Sequence, residues 1–163
     1  MVGNDQQILK MSEPPLKIRK ADSADLSDMM RLENMCFSYE AFSIQQLRYL
    51  LDTETAISLV AEYDGKFAGF IIGITNRNRF GKYGRIYTID VDQSFRRLGA
   101  GKALIEALLR RMRDANCRRC FLEVRQENTG AIALYEKIGF EKKNVILNYY
   151  SEGVHAIKMK IEI

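Results

Sequence analysis

A glycine-rich turn in the second half of the chain constrains the fold more than any other feature. The turn is Arg96-Arg97-Leu98-Gly99-Ala100-Gly101, and it follows a strongly β-prone run that ends at Val91. After it, apolar residues recur at helical spacing at Leu104, Leu108, Met112 and Ala115. This order predicts a strand, a loop and then a helix, whose unpaired N-terminal N–H groups would favour an anion.

The spacing of these glycines excludes two common nucleotide-binding motifs. A P-loop would need glycine in place of Arg96 and Ser or Thr in place of Ala103. A Rossmann fingerprint would need a third glycine at position 104, which is leucine. Two glycines before a helix also occur in plain turns, so the turn alone leaves an ordinary loop and a phosphate site as alternatives.

Hydrophobic periodicity predicts one mixed α/β domain, which suits a chain of 163 residues. Residues 1 to 14 are polar and aperiodic, so we expect a flexible leader before a domain over residues 15 to 163. Helices are predicted through Leu26 to Glu33, over 44–51, after the glycine turn and over 130–138. Strands are predicted at 16–20, 57–63, 66–75, 85–91, 118–125, 140–147 and 154–161. The polar, basic segment 76–84 is predicted to be a loop.

Charge and cysteine content limit the partners and the compartment. The net charge is +4, and the basic residues concentrate in 77–85, 96–102 and 110–119, where a nucleic acid or a phosphorylated cofactor could bind. Three cysteines favour a reducing, cytoplasmic compartment, and the apolar runs are too short for a membrane span. Cys117 and Cys120 have CxxC spacing, but no second pair completes a metal shell, so we predict no metal.

The turn and the segments that follow it resemble the GCN5-related N-acetyltransferase (GNAT) superfamily. Arg96 to Gly101 fits the pattern (Gln/Arg)-x-x-Gly-x-(Gly/Ala) of that superfamily. Later blocks are similar to the RimI-type and NatA-catalytic-subunit branch: Leu122-Glu123-Val124-Arg125, Asn128, Ala131, Ala133-Leu134-Tyr135-Glu136-Lys137, Gly139-Phe140 and Asn148-Tyr149-Tyr150. The resemblance covers about residues 16 to 161. It implies a mixed, mostly antiparallel sheet flanked by helices and splayed open between its fourth and fifth strands.

The resemblance also implies acetyl-CoA as the cosubstrate, with its pyrophosphate on the glycine turn and its pantetheine arm in the splayed gap. The edges of the gap are then Ile89 to Val91 and Leu122 to Val124. The residues implied in binding are Ile89, Asp90, Val91, Arg96, Arg97, Leu98, Gly99, Ala100, Gly101, Lys102, Asn128 and Tyr135. Asn128 also suits the N-cap of a helix, and the two roles are compatible.

Acetyl transfer to an amine needs a base for the ammonium proton and an acid for the departing thiolate. The resemblance implies Glu123 as the base and Tyr135 as the acid; by themselves they would be a solvent-facing strand residue and a core tyrosine. Arg85 stands where many N-terminal acetyltransferases carry histidine or tyrosine as an added base, and arginine is permanently charged. Asp90 replaces a usually small residue, and His155 is interpreted as structural. Glu123 is therefore the principal candidate for the base.

The acceptor is expected between the first two helices and the loop before the final strand. The implied substrate-binding residues are Phe37, Tyr39, Glu40, Tyr149 and Tyr150. An α-amine, with a pKa of about 7.7 to 8, loses its proton more readily than lysine at about 10.4, which favours a protein or peptide N-terminus as acceptor. The ribosome or an auxiliary subunit are further implied partners. Lysine side chains or small amines are alternative acceptors, and a basic nucleic-acid-binding module or an inactive acetyl-CoA sensor are alternatives of other classes.

Overall fold

The protein is described here from a computed structural model, which describes residues 14–37 and 41–163. Seven strands form one sheet in the order β1-β2-β3-β4-β5-β7-β6. The strands are β1 (Leu16–Lys20), β2 (Ala56–Tyr63), β3 (Lys66–Asn78), β4 (Gly81–Val91), β5 (Arg119–Arg125), β6 (Glu141–Ser151) and β7 (Val154–Glu162). The helices are α1 (Leu26–Cys36), α2 (Ile44–Asp52), α3 (Ala100–Asp114) and α4 (Thr129–Ile138). The expected mixed, mostly antiparallel sheet flanked by helices is confirmed.

Helices cover both faces of the sheet because strand residues alternate between the two sides. On one face, Leu59 and Ile71 pack with the apolar side of α3 and with α4. On the other face, Val60, Phe70 and Ile72 pack with α1 and α2. Helix α3 buries Leu104, Leu108 and Met112, as its periodicity predicts.

Strands β4 and β5 run parallel but pair over a very short length. Their register contains only Gly84 with Cys120 and Arg85 with Phe121. Beyond these pairs β4 continues to Val91 and β5 to Arg125, so the two strands diverge. The expected gap between the fourth and fifth strands is therefore present.

A β-bulge in β4 changes which side chains point to each face. Ile72 of β3 pairs with Thr88 and Gly73 pairs with Ile86, so Tyr87 is the extra residue. Ile86 lies in the α3–α4 core, whereas Thr88 faces α1. Without the bulge these two side chains would point to the same side of the sheet.

The prediction of a loop over 76–84 is wrong, because β3 extends to Asn78 and β4 begins at Gly81. The hairpin tip is held from the side by Arg119, which donates to Asn78 Oδ1 at 2.9 Å and to the Phe80 carbonyl at 3.3 Å. Main-chain pairing and this clamp do not depend on apolar side chains. Because the side chains of segment 76–84 are mostly polar, hydrophobic periodicity does not reveal its strands.

Strand β6 also differs from the prediction, because it extends to Ser151 and includes Tyr149 and Tyr150, which were expected in a loop. Asn148 has a positive φ of 54° and makes the end of the strand irregular. Its N–H donates to His155 Nδ1 at 2.9 Å, and its Oδ1 accepts from the Gly153 N–H at 2.7 Å. The predicted leader lies outside the described residues, apart from Pro14. No helix in the described part of the chain is long and apolar enough to cross a membrane.

Candidate active site

The glycine turn opens helix α3 in a conformation that leaves its first N–H groups uncapped. Gly99 is the N-cap residue with a φ of +85°, and no side chain caps the helix. A Cβ at Gly101 would make only ordinary contacts, 3.5 Å from Leu134 Cδ2 and 3.6 Å from Val91 Cγ2. Internal packing therefore does not require glycine at 101, and the absent side chain leaves the main chain open to a ligand.

Basic side chains surround this turn. Arg96, Arg97 and Lys102 are exposed beside it, as is Leu98, while Ala100 is buried at the start of α3. Uncapped N–H groups at the positive end of a helix, with cations nearby, suit a phosphate group. The turn thus has the geometry and charge of a pyrophosphate site.

The divergence of β4 and β5 creates a cavity of about 260 Å³, which we call the gap cavity. One wall is formed by Ile86 to Ile89 of β4, and the opposite wall by Leu122 to Arg125 of β5. Helix α4 contributes Ala131 and Tyr135. Of the strand edges expected to hold pantetheine, Leu122 to Val124 line this cavity completely, whereas the expected edge Ile89 to Val91 contributes Ile89.

Tyr135 brings a buried phenol to this cavity. Its residue is 7% exposed, and its ring packs edge-to-face on Phe140 with the centroids 5.9 Å apart. Burial is the main cause that raises the pKa of Tyr135 to about 12. The hydroxyl therefore keeps its proton at physiological pH and is available as a donor.

Asn128 lies on the same cavity and caps α4. Its Oδ1 accepts a hydrogen bond from the Ala131 N–H at 3.1 Å. The capping alternative for Asn128 is therefore present in the structure. Because Asn128 also lines the gap cavity, the cap does not remove it from the neighbourhood of the ligand.

Glu123 stands between the gap cavity and a second space. This outer cavity, of about 300 Å³, is lined by Phe42, Arg85, Ile86, Tyr87, Glu123, Tyr149 and Tyr150. The Glu123 side chain is 9% exposed and lines both cavities. Its Oε2 lies 2.8 Å from a guanidinium nitrogen of Arg85. A carboxylate at this junction could accept a proton from a group in the outer cavity while acetyl transfer proceeds in the gap.

Aromatic rings form most of the outer cavity. Phe42 stacks on Tyr87 with centroids 6.4 Å apart, and Tyr149 meets Tyr150 edge-to-face at 4.9 Å. Arg85 donates a hydrogen bond to the Tyr149 hydroxyl at 3.0 Å. The sequence predicts the alternation of side chains in β4 and the helix cap at Ser43. It contains no signal that Phe42 and Tyr87 lie together in the fold.

The other residues expected to bind the acceptor lie in different places. Phe37 lines the gap cavity, and Tyr150 lines both cavities. Tyr39 and Glu40 lie outside the described residues. The structure therefore brings Phe37, Tyr149 and Tyr150 to the two cavities.

The Asp90 side chain is buried and points toward α1. Thr88 Oγ1 lies 3.3 Å from Asp90 Oδ1 and 3.0 Å from Oε2 of Glu33. Burial, followed by the contact with Glu33, raises the pKa of Asp90 to about 10. Glu33, which the sequence did not single out, lines the gap cavity and accepts a hydrogen bond from the Phe42 N–H at 3.3 Å.

The cysteines of the CxxC pair are core residues. Cys117 and Cys120 are 1% and 0% exposed, and both belong to the core under α3. Among the described residues, no group of three His, Cys, Asp or Glu side chains could hold a metal ion. The pair therefore packs as small apolar side chains.

Comparisons with known proteins agree with this geometry. Residues 26–140 match the model of the Acetyltransferase (GNAT) family. An N-alpha-acetyltransferase of Sulfurisphaera tokodaii is 32% identical over 152 residues, which cover 88% of this chain and 90% of that protein. Ard1 from Thermoplasma volcanium has a TM-score of 0.79 at 28% identity, with 91% of this chain and 98% of that chain covered.

The ribosomal-protein-S18-alanine N-acetyltransferase of Escherichia coli has a TM-score of 0.77, also at 28% identity, covering 91% of this chain and 94% of that chain. The family match includes the glycine turn, both edges of the gap, Glu123 and Tyr135. This chain is an acetyl-CoA-dependent acetyltransferase of the GNAT family.

Proposed function

We propose that the protein transfers the acetyl group of acetyl-CoA to the α-amine at the N-terminus of a protein or peptide. The observation that carries this proposal is the position of Glu123 on the common wall of the gap cavity and the outer cavity. Because Glu123 lines both cavities, acetyl-CoA in the gap cavity and an acceptor in the outer cavity can be bound at the same time. The proteins compared above that are named as N-terminal or alanine N-acetyltransferases support the same acceptor class.

Glu123 acts as the base in this proposal. It accepts a proton from the substrate ammonium, directly or through water, and frees the nitrogen lone pair for attack. The nitrogen then forms a bond to the acetyl carbonyl carbon, and the carbon–sulfur bond breaks. Tyr135 donates its hydroxyl hydrogen to the departing sulfur. The nitrogen loses its second proton as the amide forms, and this proton restores the Tyr135 phenol through solvent, while Glu123 releases the first proton to solvent. No acetylated side chain is needed.

The glycine turn and the gap hold the cosubstrate. The N–H groups at the start of α3, helped by Arg96, Arg97 and Lys102, bind the pyrophosphate. The main chain of Ile89 to Val91 and the side chain of Asn128 bind the pantetheine amides. This assignment is supported by the uncapped N-terminus of α3 and by a β4 edge that has no strand partner beyond Arg85.

The outer cavity holds the acceptor. Tyr149 and Tyr150, together with Phe42 and Tyr87, would contact the first residues of the peptide there, and Phe37 would contact them from the gap cavity. An α-ammonium is easier to deprotonate near neutrality than a lysine, so a single carboxylate base suffices for it. We place the reaction in the cytoplasm, which the free thiols of Cys36, Cys117 and Cys120 favour.

The test is to incubate the purified protein with acetyl-CoA and three kinds of acceptor. These are peptides with a free N-terminus, the same peptides with a blocked N-terminus and an internal lysine, and polyamines. Mass spectrometry should locate the acetyl group on the α-amine of the first set. Acetylation confined to lysines or polyamines would contradict the proposal, and acetyl-CoA binding without any turnover would favour a sensor.

A further inference from the structure

One half of the sheet face that carries α1 and α2 is lined by basic side chains. The helices pack on β2, β3 and β4, and the same face continues across β5 and β7. On β5 the side chains of Arg119, Phe121, Glu123 and Arg125 alternate with the core residues Cys120, Leu122 and Val124. On β7, Lys160 and Lys158 lie opposite Phe121 and Glu123 in the register. We call Arg85, Arg119, Arg125, Lys158 and Lys160 the basic face.

Carboxylates on β5, β6 and β7 oppose some of these cations, and Glu141 of β6 lies opposite Lys160 in the register. Among the β5 and β7 side chains on this face, the carboxylates are Glu123 and Glu162, which lie 2.8 Å from Arg85 and 2.7 Å from Lys160. Lys158 contacts an aromatic ring, with its Nζ 4.9 Å from the Phe121 centroid. Such a contact leaves the charge in place and able to attract an anion.

Arg85 connects this face to the candidate active site. Its side chain is 37% exposed and lines the outer cavity, where it holds both Glu123 and the Tyr149 hydroxyl. An ammonium that approaches Glu123 has to share the carboxylate with the Arg85 guanidinium. A second carboxylate on the acceptor would give Arg85 a replacement partner, and guanidinium groups bind carboxylates in a well-defined planar geometry.

We propose that Arg85 selects acceptors that carry Asp or Glu at the second or third position. The acidic side chain pairs with Arg85, the α-ammonium takes its place at Glu123, and following acidic residues lie along the basic face. This inference rests on the proposed N-terminal acetylation and adds the class of acceptor. One ion pair is exchanged for two, so the charges of the site stay compensated when the acceptor binds.

The experiment compares peptides that differ only by Asp or Asn at position 2 or position 3. Acetyl-CoA-dependent thiol release gives kcat/KM, and mass spectrometry checks that the α-amine is modified. For at least one of the two positions, the wild-type protein should prefer the Asp peptide by about three- to fivefold, the value expected from one added ion pair at a partly exposed guanidinium. Raising the salt from about 50 to 500 mM should reduce the preference, because exposed charges are screened.

Arg85→Gln should bring the Asp-to-Asn ratio close to one, and Arg85→Lys should retain part of it because the charge stays while the planar fork is lost. The matched control is Arg110→Gln, which removes an equal charge from the exposed side of α3, across the sheet from the basic face. That variant should keep the wild-type ratio. The readout is the ratio of kcat/KM for the Asp and Asn peptides, measured on the same protein. Partial unfolding of a variant lowers both values equally and therefore leaves the ratio unchanged.

Three outcomes would overturn the inference. The first is α-amine acetylation at equal rates for Asp and Asn peptides, which leaves the proposed function intact. The second is a preference that survives in Arg85→Gln. The third is inhibition of both peptides by a single-stranded RNA oligonucleotide with a steep salt dependence, since the basic face would then be a nucleic-acid site. Absence of α-amine acetylation with every peptide would instead contradict the proposed function.

Discussion

Replacing Tyr135 by Phe tests the proposed acid with the least change in structure. The substitution removes one oxygen and keeps the ring that packs on Phe140. Because Tyr135 lines the gap cavity, the substitution is made beside a space that is already present in the structure. We therefore expect the free energy of unfolding to change by less than about 1 kcal/mol, which thermal melting would measure.

The expected effect on turnover is much larger. General acid catalysis contributes about 10² to 10⁴-fold, so kcat should fall at least about 100-fold, equivalent to about 2.7 kcal/mol of barrier. The loss should appear in kcat and not in KM for acetyl-CoA, since the hydroxyl acts on the departing sulfur. Thiol release with saturating acetyl-CoA and an acceptor peptide would measure both.

The pH profile provides a second check. With a pKa of about 12, the phenol stays protonated throughout the range from about pH 6 to pH 10. The ratio of wild-type to Tyr135→Phe turnover should therefore be constant over that range. The reasoning would be refuted by a fall in kcat of less than tenfold or by a ratio of wild-type to Tyr135→Phe turnover that shrinks above pH 9. It would also be refuted by a loss of unfolding free energy as large as the increase in the activation barrier.

Three further predictions follow from the same site. Glu123→Gln should lower kcat/KM by at least about 100-fold, because the base is lost. It should change the free energy of unfolding by no more than about 1 kcal/mol, because its partner Arg85 is partly exposed. A loss of unfolding free energy as large as the increase in the activation barrier would contradict this prediction. Gly101→Ala should raise KM for acetyl-CoA at unchanged melting temperature, whereas Gly99→Ala should also destabilise by about 1 to 2 kcal/mol because its φ is +85°. The pKa of Asp90 is raised to about 10, so its carboxyl group keeps a proton in the folded state. In the unfolded chain the same group loses its proton above about pH 4. The contribution of Asp90 to the free energy of unfolding therefore falls as the pH rises from about 4 to 10. Asp90→Asn removes this slope, and its melting temperature relative to wild type should rise with pH; parallel curves would exclude the buried proton.

Local patterns predicted much of the fold, because the residues responsible are close in sequence. Ser43 caps α2 in a reciprocal arrangement with Gln46, and Gly139 ends α4 with a positive φ of 122°. The spacing of apolar residues in α3 gave its buried side correctly. These features depend on helix geometry and short-range hydrogen bonds, which one stretch of sequence contains.

The features that were missed depend on residues far apart in the chain. The strands through 76–84 are held by pairing and by Arg119 from β5. The direction of Asp90 follows from the bulge at Tyr87, which the sequence does not mark. The pair between Arg85 and Glu123 exists because β4 and β5 separate just beyond it. Glu123 itself was identified by resemblance, since an acidic residue in an alternating strand would otherwise be read as exposed.

The short pairing of β4 and β5 separates two kinds of recognition in this protein. Within residues 14–37 and 41–163, the facing edges of these strands have no ladder partner beyond Arg85 and Phe121, so a molecule in the gap can be bound by peptide groups that every residue type supplies. Substitutions along this part of β4 and β5 therefore need not weaken such binding. The outer cavity, in contrast, is built from side chains such as Phe42, Arg85 and Tyr149. Under the proposed function, changes in acceptor preference can therefore accumulate in the outer cavity while the binding of acetyl-CoA stays unchanged.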